Sequence, residues 1–466
     1  MFAIPGIVLL VAAIYARPQE VFTSLANVPL LYVAFGLAVF GLVLDLRLGI
    51  TRLRWSPLDP WVFGFLLWAT FTALIRSPGS VPAQALELSV CAALYLLIAH
   101  GVQTFRGLGI VAGSVLAMVV LVSVVAVEQK LEPTGCIQID ETVPGDTTTG
   151  THDGRWCNVA RDCYLGDAEP GAQYMCEHVG WFGTTTVGKG RIRYRGVLQD
   201  PNELALAAGV GLPLAFALGF ARRRTLGGRA LLAAVFVLVL VCAMLTRSRG
   251  GQLVFVAVLA VPFARRFGVR GLVLGALLAT PLLFLGGRAG GEAQTSSVER
   301  ADCWAEALSI WRAHPLLGAG LGQFGRYHYL TAHNSYLLAL AELGFPGMLL
   351  FSGLVYTSAK IPYRAWRQTE DAESTQAADG AVQLVRPWSM ALLAAFAGLS
   401  VGIFFLSFAY HYVFWIFVGL SGAFAAAIRR HDPDESHHFG WRDLGIVVAG
   451  SVAMIGTVWL YTRSVL

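Results

Sequence analysis

Apolar residues in this chain come in blocks close to twenty residues long, divided by brief polar breaks, in place of the alternation that marks a half-buried helix or strand. Thirteen blocks stand out: Phe2 to Tyr15, Val28 to Leu44, Trp61 to Ile75, Ala83 to His100, Leu108 to Val127, Leu204 to Phe220, Ala230 to Leu245, Gly251 to Phe263, Gly271 to Leu285, His333 to Tyr356, Trp388 to Leu406, Tyr412 to Ile428 and Leu444 to Tyr461. A helix needs about 20 apolar residues to cross the roughly 30 Å of bilayer hydrocarbon. The first and eighth blocks are short, so the pattern predicts twelve or thirteen spans. Two breaks are long, Glu128 to Glu203 and Gly286 to Ala332. They divide the chain into amino-terminal spans (1–127), a first loop (128–194), middle spans (195–285), a second loop (286–332) and carboxy-terminal spans (333–466).

Composition fixes the class. Hydrophobic residues make up 56% and charged residues 14%, against roughly 45 to 50% and about 25% in a soluble globular chain. This is the profile of an all-α polytopic membrane protein. The net charge of +5 matters less than where the arginines sit, because short loops rich in Lys and Arg stay on the cytoplasmic side. Arg47, Arg52 and Arg54, then Arg106, Arg222 to Arg224 with Arg229, Arg265 with Arg266 and Arg270, Lys360 with Arg364 and Arg367, and Arg429 with Arg430 all fall on one side if the spans alternate. That side is inside, which puts the N-terminus inside and both long loops outside. No cleaved signal is expected, since the first block lacks a basic start and an A-x-A site.

Cysteines bear on the same topology. Cys136, Cys157, Cys163 and Cys176 lie in the first long loop, an even number where disulfides can form, so two bridges of open connectivity are expected. The loop reads as a stapled cap of turns and short strands. A zinc knuckle is the competing reading, but no C-x-x-C pair is present. Cys91 and Cys242 fall in apolar blocks, while Cys303 stands alone in the second loop.

The candidate chemistry clusters at the outer ends of the spans. Arg191, Arg193 and Arg195 alternate just ahead of Asp200-Pro201-Asn202-Glu203, where Asp200 or Asn202 can cap the next helix. Alternate positions on an extended segment share a face, so the three define an anion site. Arg247 and Arg249, with Gly250 and Gly251, form a second basic cluster on the same outer face. Positive charge there runs against the orientation bias, and a guanidinium fork suits phosphate oxygens. The alternative is arginines anchored among lipid headgroups. In the second loop Ser297 is expected to cap a helix starting at Val298, whose Trp304 and Trp311 would lie at headgroup level. Pro315 stops it, and Gly318, Gly320, Gly322 and Gly325 form a turned link without a Gly-Lys-Ser/Thr phosphate loop. His333-Asn334-Ser335-Tyr336 then opens a span, with Asn334 as a cap and His333 placed to accept a proton near neutral pH. His328 lies five residues earlier without an acidic cluster, so no metal is expected. Glu87, inside a span, is either functional or hydrogen-bonded to a neighbouring helix. Tyr410-His411-Tyr412 is a tight outer turn bordering this region, and the polar stretch from Glu370 reads as a linker.

From about Arg195 to Leu350 these motifs, in this order, resemble the O-antigen ligase and polymerase family of bacterial membrane enzymes. The resemblance implies a GT-C-like fold in the bacterial inner membrane, with the active site periplasmic. It implies a metal-independent, inverting glycosyltransferase, without cofactor, that takes a glycan from undecaprenyl diphosphate. Carried over by position, Arg195 and Arg249 hold the diphosphate with Arg247, Arg300 assists, and His333 is the catalytic residue; Asn202, Asn334 and Tyr336 line the substrate. The acceptor is a glycan, lipid A core or a protein, and no nucleic-acid partner is expected. Ligase and polymerase share these residues. A polyprenyl-glycan flippase is a third reading, but its ionisable groups would lie along a path near the midplane instead of at one face.

Overall fold

The computed structural model describes residues 1–139, 150–188, 190–219, 225–285, 291–374, 380–431 and 439–466. Arg222 to Arg224, part of the second loop's start, the end of the Glu370 linker, and Asp432-Pro-Asp with His437-His438 lie outside the described residues.

Every apolar block becomes helix. In chain order the helices are α1 (Ala3–Ala16), α2 (Pro18–Val21), α3 (Leu30–Arg47), α4 (Asp59–Arg76), α5 (Val81–Gly101), α6 (Phe105–Glu128), α7 (Pro201–Gly219), α8 (Leu226–Leu245), α9 (Arg249–Leu285), α10 (Gly291–Ala313), α11 (Ser335–Ser374), α12 (Gly380–Gly402), α13 (Tyr412–His431) and α14 (Trp441–Val465). Among the described residues ten helices are long and apolar enough to cross a membrane: α3, α5 to α9 and α11 to α14. The short α1, the more polar α4 and the part of α9 beyond its break at Gly268 fall outside that set. The protein is an all-α polytopic membrane protein with one small sheet. Its core centres on α7 and α13, whose residues are buried nearly throughout. The N-terminus of α1 is held by the buried carboxylate of Asp45 in α3, which accepts from Phe2 N (2.9 Å) and Ala3 N (3.0 Å), two donors the helix itself cannot satisfy.

The first loop is an antiparallel sheet of order β2-β1-β3, from β1 (Thr134–Ile139), β2 (Gly150–Trp156) and β3 (Tyr174–His178). Cys136 is bonded to Cys163 and Cys157 to Cys176. The cap is moored to the bundle: Gln129 brackets Arg193, donating to its carbonyl at 2.6 Å and accepting from its amide at 3.4 Å, and Glu128 accepts from Trp181 N at 2.8 Å.

The second loop is mostly helix. α10 begins at Gly291, so Ser297 lies within it and is not its cap. Its Trp304 is buried against Phe404 and Tyr461, because α10 packs on α14 and the end of α12; an apolar ring facing other helices has no reason to sit among headgroups.

After α10 the chain docks on a break in α11. Gly344 has φ +69°, a backbone conformation open to glycine, and Pro346 has no N–H, so Glu342 O loses its helical donor. The turned link supplies replacements. Ala319 N donates to Ala341 O (2.8 Å), Gly320 N to Glu342 O (2.9 Å), and Trp68 Nε1 to Leu343 O (2.8 Å), while Phe345 N donates back to Pro315 O (2.9 Å). Gly318, also at positive φ, lies so close to Glu342 that a Cβ there would strike its backbone. The glycines thus serve helix docking.

Candidate functional site

One end of the bundle gathers nearly all the candidate residues. The segment before α7 is tied to three neighbours. Arg191 donates to Thr246 O (Nε, 3.0 Å) and to Asn202 Oδ1 (3.4 Å). Arg193 is buried and donates to Thr185 O (3.0 Å) and Oγ1 (2.9 Å). Arg195 donates to Glu20 O (3.0 Å) and to Phe182 O, while its Nε is buried without a partner. The three guanidiniums therefore do not share a face. Among the described residues no ladder beyond the single Val187–Arg191 bridge holds this stretch flat, so alternation is not enforced. Of the three, Arg191 is the one that touches the second arginine cluster.

That cluster forms the start of α9. Arg247 takes a left-handed backbone (φ +50°), and Ser248 caps the helix, accepting from Gly251 N at 3.0 Å. Arg247 and Arg249 are exposed on either side of the buried Ser248. The helix N-terminus adds partial positive charge to that of the arginines. Asn202 from α7, Gly250 and Gly251 from α9, and Arg300 from α10 meet with Phe405 along a tight crevice that is packed shut, with no room for a water molecule. Arg300 stacks over the Phe405 ring at 5.7 Å.

The link between α12 and α13 joins this crevice to the His333 segment. Ser335 N donates to Ile403 O (2.8 Å), Ser335 Oγ to Leu406 O (2.6 Å), and Phe408 N to Ser335 Oγ (2.7 Å); Thr331 Oγ1 meets Ser407 Oγ at 3.2 Å. His333 is half-buried, with φ +45°. Immediately after it, Asn334 caps α11, accepting from Tyr336 N and Leu337 N, each at 3.0 Å. Two expectations change here. Asn334 is fully buried in that cap, and Tyr336 is buried edge-on against Phe351, so neither lines an open surface. Their backbone turns back into the core as soon as the helix starts.

Cys303 and His328 also find places. The thiol is buried 3.7 Å from His328 Nδ1, and burial pushes it up to about 11. His328 Nδ1 accepts from Leu330 N (3.0 Å), and its Nε2 lies 3.8 Å from Asp302. This set ties α10 to the segment leading to His333. Cys136, Cys157 and Cys163 bring their sulfurs within 4.8 Å of one another, as members of the two disulfides.

Against the crevice stands a roomier cavity of about 490 Å³, lined by Glu87, Glu342, Tyr410, His411 and Arg17, with Thr331 and Ser407 at its edge. The residue code drew attention to Glu87 but passed over Glu342, although a carboxylate inside an apolar block was the same signal. Glu342 is buried and accepts from Phe324 N at 3.2 Å. Burial, followed by the carboxylates of Glu342 and Glu87, holds the Tyr410 phenol well above its ordinary value.

A family model described as O-antigen ligase matches residues 204–352, from the first turn of α7 through the break in α11. Over this stretch, about a third of the chain, the protein is similar to the O-antigen ligase family. The matched segment contains Arg247, Arg249, Arg300 and His333, and its helices supply most of the crevice wall. No curated protein matches the chain. The similarity, with the apolar helices, supports a multi-pass membrane protein of the O-antigen ligase or polymerase type.

Proposed function

We propose that the protein transfers a glycan from undecaprenyl diphosphate to an acceptor hydroxyl at the periplasmic face of the bacterial inner membrane, as an O-antigen ligase. The observation that carries this is the meeting of Asn202, the start of α9 and Arg300 in one crevice, joined through the 403–408 link to the segment bearing His333. Arg249, Arg247 and Arg300 hold the diphosphate. Arg195 serves from the adjoining cap, where its buried Nε–H is still unpartnered.

The sugar-to-phosphate bond breaks readily once the departing diphosphate's charge is met by preorganised cations. Arginines fill that role in a metal-independent, inverting reaction of the GT-C type. His333 accepts the proton of the attacking hydroxyl, an effect worth about 10² to 10⁴ in rate. The acceptor is lipid A core, another glycan or a protein.

A polymerase would use the same groups, and glycan length separates the two. In a deletion strain, long unattached lipid-linked chains mark a lost ligase and single repeats a lost polymerase. Restoration of wild-type product by His333→Ala or Arg249→Ala would reject the assignment. A flippase is disfavoured because the arginines assigned to the diphosphate gather at one end of the bundle, instead of along a path through it.

A further inference from the structure

The 490 Å³ cavity differs in chemistry from the arginine crevice. Its volume falls within the roughly 300 to 1,000 Å³ of small-molecule sites. Glu87 from α5 and Glu342 from α11 place two carboxylates in its wall, and tyrosines 329, 410 and 412 add aromatic surface. Three groups of the wall have a buried polar atom without a partner: Glu342 Oε2, on a residue 3% exposed, the Tyr410 hydroxyl and Arg17 Nε. A buried donor or acceptor left unmet is costly, and here three such groups line the same space. Glu342 is also held in position, because its other oxygen is fixed by Phe324 N. Arg17, the cation in the wall, pairs its Nη1 with Glu20 at 3.0 Å and keeps its Nε for a ligand oxygen such as a sugar hydroxyl, and His411 donates to Val197 O at 2.8 Å. A ligand suited to this wall donates several hydroxyls, carries no negative charge and offers a C–H face to aromatic rings. Carbohydrate meets all three conditions, whereas a diphosphate meets none.

We infer that this cavity binds a sugar residue of the acceptor, one hydroxyl donating to Glu342 Oε2 and another pairing with the Tyr410 hydroxyl. The inference rests on the transferase reading and deepens it. Thr331, which lines the cavity, stands two residues before His333 in the chain.

The test uses the full chain purified in detergent, with methyl glycosides of glucose, galactose and mannose as one set of probes and inorganic pyrophosphate as the other. Saturation-transfer NMR and calorimetry read the binding. Gly325 lines the cavity, and a Cβ there meets nothing within 4 Å, so Gly325→Trp fills the space without a backbone clash. Glu342→Gln keeps an acceptor for Phe324 N while removing the charge. The expected result is binding of at least one glycoside to the wild type, weakened at least tenfold in both variants, with pyrophosphate binding intact as proof of folding. Glycoside binding should also persist in saturating pyrophosphate. No glycoside binding, binding unchanged in both variants, or displacement by pyrophosphate overturns the inference. Failure of the diphosphate reading shows separately, as pyrophosphate binding that is absent or indifferent to Arg249→Ala.

Discussion

At the residue scale, two groups have separate roles, Arg249 in the proposed chemistry and His411 in stability. Loss of one preorganised donor to a developing anion costs about 10² to 10³ in rate, so Arg249→Ala should cut transfer by that factor, and Arg249→Lys should recover only part because a single ammonium cannot reproduce the fork. His411 governs stability instead. Its Nε2–H donates to Val197 O (2.8 Å) and its Nδ1 accepts from Val413 N (3.2 Å), so the neutral ring satisfies both neighbours. Burial lowers it to about 4. The unfolded chain, with a histidine near 6.5, therefore binds more protons between those values, and folded stability is full above about pH 6.5 and lost as pH falls toward 4. Thermal melting in detergent should drop across that window, and His411→Gln should flatten the drop. The sequence offered this turn only as a border of the site; its partner, Val197, lies 214 positions away, beyond the reach of local pattern.

At the scale of elements, block length and hydropathy located the helices well, because membrane insertion depends on those properties locally. Ends and faces were less legible. The start of α10 was placed at Val298 by a plausible capping serine, whereas the helix begins seven residues earlier; an N-cap preference worth about 1 kcal/mol yields to packing against α11 and α14. The three alternating arginines were expected on one face, a reading that needed a ladder the fold does not provide. The break in α11 was written in Gly344 and Pro346, yet its consequence, three carbonyls served by distant donors, required the tertiary structure. Gly344→Ala should therefore destabilise the protein by about 1 to 3 kcal/mol for backbone strain alone, with more from contact with Leu316 O, read as a lower melting temperature and lower yield. In the cap, Cys136→Ser should loosen the sheet by about 2 to 4 kcal/mol, seen as faster proteolysis between residues 150 and 178 while the spans still insert.

For the whole molecule, the two ends of the bundle carry different charge logic. One holds the cap, the crevice and the carboxylate cavity. The other surrounds a second cavity of about 310 Å³ with Arg52, Arg54, Arg429 and Arg430, the basic loops that the orientation rule places inside. Gly79 lies between α4 and α5 and Gly227 in the first turn of α8, on opposite sides if the spans alternate, and both have open space at their Cβ positions. Gly79→Cys should react with a membrane-impermeant maleimide in intact spheroplasts, and Gly227→Cys only after permeabilisation; the reverse pattern would invert the topology. The most direct measurement is release of undecaprenyl diphosphate by the purified, reconstituted protein given a lipid-linked glycan and an acceptor, with chelator present. Release coupled to glycan transfer by the wild type, and a fall of at least 10² in Arg249→Ala and His333→Ala proteins that fold normally, is the predicted result. Near wild-type release by either variant would contradict the account.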